Sequence, residues 1–256
     1  MSIAKRLFDF YLNASLHIGL AILALARITE ISLKIPSQIN LNMVIFSGAV
    51  VGYNVLKYID VFTRNRLWIS RNSSIILVSV LAFLIASFYF LQLETTIQLA
   101  FIGIGVIIGF YPFLRKFGLL KMFLVSFCIA LITVGAPFFM KTQLTIEIYL
   151  TFLQRFLIVI SLLIPFEIYD SKTDDPTLLT LPQQFGIRPT KIFGMLLVIP
   201  FLSLEFFKSN PSYTVLIVSI ITVLFIHFSS VQKSKYYTSF WVESVPIFWW
   251  LLLSMI

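Results

Sequence analysis

Apolar runs separated by short polar or basic stretches recur along all 256 residues of the chain. Nine of these runs approach the length that crosses a bilayer core of about 30 Å. They lie at roughly 11–33, 41–61, 74–93, 96–114, 120–140, 145–169, 190–207, 212–230 and 238–256. The pattern predicts an all-α, polytopic membrane protein with nine transmembrane helices in one bundle over 1–256. The connections are short, so no linker or second domain is expected. The basic start "MSIAKRLFDF" leads into an apolar stretch with no small-residue cleavage site. It reads as an uncleaved first span rather than a signal peptide.

Composition supports lipid as the solvent. Mean hydropathy is +0.97 and only 12% of residues are charged, more apolar surface than a soluble domain of this size can bury. The net charge of +8 would raise nucleic acid as a partner in a soluble protein. Its distribution argues otherwise. With the N-terminus cytoplasmic, one side holds Lys5, Arg6, Lys57, Arg64, Arg66, Arg71, Arg115, Lys116, Lys121, Lys172, Arg188, Lys191, Lys233 and Lys235. The opposite side holds only Lys34, Lys141 and Lys208. That asymmetry is the signature of cytoplasmic loops. The expected partner is membrane lipid, not nucleic acid.

The stretch "PFEIYDSKTDDPTLLTLPQQFG" at 165–186 carries the candidate chemistry. Glu167, Asp170 and Asp174 are spaced i, i+3, i+7, and form one stripe if the sixth helix continues past its apolar run. Asp175 precedes Pro176, which favours an extended conformation and a helix end. Acids at a helix C-terminus meet the negative end of the macrodipole and repel one another. A divalent cation would offset both, and oxygen-only ligands suit Mg²⁺. A solvated acidic loop would carry the same residues, but ionisable groups at a span end point toward function.

The segment "DSKTDDPTLLTLPQQFG" resembles the second aspartate motif of the UbiA-type intramembrane prenyltransferases. In that family Asp-x-x-x-Asp ends the sixth span, and Thr-Leu-Pro and then Gly follow before the seventh. Asp170 and Asp174 occupy the acid positions, and Thr180, Leu181, Pro182 and Gly186 the downstream ones. "YPFLRKFGLLK" is similar to the family's basic fourth connection. The family's first motif, Asn-x-x-x-Asp, is matched only at Asn54. Tyr58 and Phe62 stand where acids are expected. Asp60 lies off that face, where Lys57 and Arg64 can pair with it.

The resemblance implies transfer of an isoprenyl group from a prenyl diphosphate to an aromatic or other lipophilic acceptor in a bacterial inner membrane. It implies Mg²⁺ held by Asp170, Asp174, Glu167 and Asn54, with Asp170, Asp174 and Asn54 at the reaction. Lys57, Arg64, Lys116, Lys121 and Lys172 would clamp the diphosphate. Tyr111 and Tyr169 would line the site and face the allylic cation. The degenerate first motif leaves a second expectation, an inactive member that binds isoprenoid lipid. Arg155 and Glu243, each inside a span, leave a third, a transporter in which they pair or line a polar cavity.

Four smaller expectations complete the reading. Asn13 and His17 share a face suited to interhelical hydrogen bonds. Arg27 pairs with Glu30. Gly105 and Gly109 form a small-x-x-x-small pair for close helix packing. The lone Cys128 is an inert buried thiol.

Overall fold

The computed structural model describes residues 2–64, 72–110, 118–139, 145–173 and 178–255, with side chains up to residue 58 in the first of these stretches. Every regular element among the described residues is helical. In chain order these are α1 (Ile3–Asn13), α2 (Leu16–Ser32), α3 (Ile39–Arg64), α4 (Ser73–Phe90) and α5 (Thr95–Gly109). Next come α6 (Gly118–Phe138), which passes through a π-helical turn at Leu131–Gly135, and α7 (Ile146–Asp170). A five-residue α8 (Leu181–Phe185) leads into α9 (Ile187–Ser203), which ends in a 3₁₀ turn. Helix α10 (Thr214–Phe228) and a π-helical segment (Tyr237–Val242) precede α11 (Val245–Ser254).

Among the described residues, five helices are long and apolar enough to cross a membrane: Ile39–Tyr58 within α3, α4, α6, α7, and α9 with its 3₁₀ extension to Phe207. Together α1 and α2 make a sixth if they count as one span bent by 55°. Helices α5 and α10 are equally apolar but have 15 residues each, about 22 Å of axis. The protein is therefore a multi-pass membrane protein. Large apolar side chains on α4, such as Phe83, Leu84 and Phe88, are exposed. That is the arrangement expected where lipid covers the surface.

The main core joins α2, α6, α7, α9, α10 and α11 around Ile158, Ile160, Ile164, Ile168, Phe201 and Trp249. A second cluster joins α2 and α3 through Ile22, Ala26, Leu41 and Ile45. Glycine sets three of the close approaches. A Cβ on Gly19 would meet Val50 at 2.7 Å, one on Gly194 would meet Ile164 at 2.8 Å, and one on Gly118 would meet the Leu179 carbonyl oxygen at 2.2 Å. Gly105 and Gly109 are not among these. Among the described residues a Cβ on either finds nothing within 4 Å, so the expected close packing is not seen there. Spacing alone cannot tell which face of an apolar helix meets protein.

The α1–α2 bend depends on Ser15, whose φ of 58° is left-handed. A break in a helix strands the carbonyls of its last turn. Two residues of α3 take them up: Asn54 Nδ2 donates to the Ala14 carbonyl at 3.1 Å, and the Tyr58 hydroxyl to that of Asn13 at 2.8 Å.

Candidate functional site

Helix α7 runs through the main core and carries Pro165 inside it. Proline has no N–H to offer the Ser161 carbonyl, so the ladder is interrupted one turn before the acids. The Ser161 hydroxyl binds the Leu157 and Gly194 carbonyls at 2.9 and 3.3 Å, which ties this stretch to α9.

The helix stops at Asp170. The Ser171 hydroxyl donates to the Ile168 carbonyl at 2.8 Å, and both the amide and the hydroxyl of Thr173 donate to the Asp170 carbonyl, at 2.8 and 3.1 Å. Serine and threonine thus take up the terminal carbonyls and turn the chain. The expected helical stripe is corrected accordingly: Glu167 and Asp170 share a face, but the helix does not carry that face beyond Asp170. Asp174 lies outside the described residues.

Glu167 is buried, and its Oε1 meets Lys121 Nζ of α6 at 2.7 Å. This pair neutralises the first acid from within the protein. Lys121→Met would leave Glu167 buried without its cation, and should cost about 2 kcal/mol, between the values for exposed and fully buried pairs. Thermal unfolding in detergent would measure it, with the Lys121→Met/Glu167→Gln double variant recovering most of the loss. Asp170 and Tyr169 are half-buried, and Lys172 is exposed.

The connection that follows closes over α6. Leu179, with φ 47°, lays its carbonyl against Gly118. The Thr180 amide donates to Gln183 Oε1 at 3.0 Å and starts α8, which Gly186 ends with φ 85°. Beside it lies an apolar cavity of about 400 Å³, lined by Leu119, Phe123, Leu181, Phe185, Pro189, Thr190 and Phe193. Leu119 and Phe123 stand two residues either side of Lys121, so the cavity shares α6 with the Lys121–Glu167 pair.

Asn54 is 3% exposed and committed inside the bundle. Its Oδ1 accepts from Ser15 Oγ at 2.7 Å, and its Nδ2 donates to Ser79 Oγ at 2.9 Å as well as to Ala14. The cavity next to it, about 340 Å³, is lined by Asn54, Val55, Tyr58, Ile75, Ile76, Ser79 and Val80 of α3 and α4, and none of these is an acid. Lys57 is exposed, with its ammonium 5.3 Å from the Tyr58 ring centroid. Tyr111, Lys116 and the side chain of Arg64 lie outside the described residues. No group of three or more His, Cys, Asp or Glu residues able to hold a metal occurs among the described residues.

Two polar centres carry more than their sequence signal indicated. His17 accepts from the Tyr11 hydroxyl at Nδ1 (2.8 Å), and its Nε2 lies 3.0 Å from the Phe240 carbonyl and 3.1 Å from Ser244 Oγ. A proton on Nε2 satisfies this geometry. The interhelical role expected for His17 is thus seen, but toward the segment before α11, more than 220 residues away. Arg155 and Glu243 do not meet. Arg155 donates to Thr29 and lies under Trp249, whereas the charged neighbour of Glu243 is Lys57. Arg27 does pair with Glu30, and Cys128 is buried and free.

No protein-family model, curated protein or solved structure matches the chain.

Proposed function

We propose that this protein is a membrane prenyltransferase of the UbiA type, with nine crossings and a cytoplasmic N-terminus, in a bacterial inner membrane. The observation that supports it is the end of α7. There Asp170 follows one turn after the buried Lys121–Glu167 pair, and the Thr180–Gly186 turn lies beside an apolar cavity of about 400 Å³. An acidic helix end whose neighbouring helix borders an apolar slot suits a substrate with a charged head and a hydrocarbon tail.

Asp170 and Asp174 are the oxygens that would hold Mg²⁺, which when bound supplies positive charge to the departing diphosphate. Glu167 already has Lys121 as its counter-charge, so that pair fixes the end of the site. Lys172, exposed beside Asp170, is the cation for the diphosphate. Asn54 and Tyr58 hold the α1–α2 bend and stand outside the metal set. That commitment favours a second reading, a member that binds isoprenoid diphosphate without transferring it.

Purified protein incubated with labelled prenyl diphosphates of several lengths should bind one class in a Mg²⁺-dependent manner. Asp170→Asn should weaken that binding about tenfold or more, the worth of one charge-assisted contact. Transfer to any member of a panel of aromatic and lipid acceptors selects the first reading, and binding without transfer selects the second. Absence of binding at every chain length, or indifference to Asp170→Asn, overturns both.

A further inference from the structure

Arg155 is the tenth residue of α7, about 14 Å along its axis, and is 1% exposed. Its Nη2 donates to Thr29 Oγ1 at 3.0 Å, and its guanidinium carbon lies 5.3 Å from the Trp249 ring centroid. Its Nε and Nη1 have no hydrogen-bond partner among the described residues. One turn earlier on the same face, Thr151 is 4% exposed and its hydroxyl is also without a partner. Side chains on a helix lean toward its N-terminus, which brings the guanidinium over the turn that carries Thr151.

The nearby acids are taken. Glu205 receives Gln154 Nε2 at 2.9 Å, Lys208 Nζ at 2.8 Å and the Ser212 amide at 2.8 Å. Glu30 pairs with Arg27, and Glu147 accepts the Ser209 amide at 3.0 Å. Lys208 is the counter-charge of Glu205, so that carboxylate is not left over for Arg155. A guanidinium cannot release its proton to escape burial. A buried charge without a partner is among the most costly features a fold can carry.

Each unanswered group here can donate: the guanidinium nitrogens Nε and Nη1, and a hydroxyl that can also accept. The positive charge on the guanidinium and its unmet N–H groups fit a species that accepts hydrogen bonds and carries one negative charge. The close packing around a 1% exposed side chain restricts it to a small one. We propose that Arg155 and Thr151, with Thr29 and Trp249 orienting the guanidinium, form an intramembrane site for a small monovalent anion of the halide class. This site is independent of the prenyl-diphosphate reading, since it stands on the opposite half of α7 from Asp170.

The test is a chloride titration of the purified full chain in detergent, at constant ionic strength with gluconate as the replacement. Unfolding temperature and ³⁵Cl line broadening are the readouts. The wild type should show a saturable rise in unfolding temperature with chloride, as for any ligand that binds only the folded state. Arg155→Lys should weaken chloride binding about tenfold or more, because the compact ammonium cannot reproduce the guanidinium fork. Arg155→Met should abolish the dependence. Thr151→Val keeps the charge and the fold, and should weaken binding several-fold. No saturable chloride effect in the wild type overturns the proposal, as does an effect of equal midpoint in Thr151→Val.

Discussion

Replacing Gly118 with alanine should lower the stability of the folded bundle by about 3 kcal/mol, the upper part of the range for overpacking, and valine should cost more. A Cβ there would stand 2.2 Å from the Leu179 carbonyl oxygen, 2.7 Å from its carbon and 2.8 Å from Thr180 Cα. All three are backbone atoms, so no rotamer change relieves the contact. The Leu179–Thr180 connection has to move away from α6. Leu179 already has a positive φ of 47°, a conformation a branched residue holds only when its surroundings enforce it. The displaced segment starts α8, borders the 400 Å³ cavity and follows the turn after Asp170. The expected result is a lower unfolding temperature in detergent and, on the proposed function, a parallel loss of prenyl-diphosphate binding in whatever protein remains folded. An unchanged unfolding temperature in Gly118→Ala would show that this approach is not a real constraint.

The second large effect is expected at Asn54. Asn54→Ala removes three hydrogen bonds, to Ala14, Ser15 and Ser79, and should cost about 3 kcal/mol at roughly 1 kcal/mol per bond. The loss falls on the break between α1 and α2, where the Ala14 carbonyl is left in apolar surroundings without a partner. Tyr58→Phe removes one cap, the Asn13 carbonyl, and should cost about 1 kcal/mol. If Asn54 serves the bend, the destabilisation is the same with and without Mg²⁺. If it is instead a metal ligand, the wild type gains stability from Mg²⁺ and Asn54→Ala does not. Unfolding temperatures with and without the ion separate these outcomes.

Position 58 shows how a local motif misleads. Judged by the spacing from Asn54, tyrosine there is a missing acid. In the fold it is the second of two caps, one turn apart, on the same broken helix. The broken helix lies about forty residues earlier in the chain, so no local pattern could reveal the partnership. Glu167 is a similar case. It belongs to the acid run by sequence, yet Lys121 of another helix neutralises it.

The order of residues settles what depends on one segment meeting its solvent. In lipid an apolar run satisfies its backbone only as a helix. Helical content, membrane class and a polar end near Asp170 were therefore legible from the order of residues. What depends on two segments meeting came from the packed fold. It chose Gly118 and Gly194 over Gly105 and Gly109 as the close-contact glycines, since one helix face is as apolar as another until a neighbour covers it. It stopped α7 at Asp170, paired Lys121 with Glu167, and left the buried Arg155 with donors unanswered among the described residues. A polar group inside a membrane protein takes its role from whatever the fold brings within about 3 Å of it, and that neighbour is rarely close in sequence.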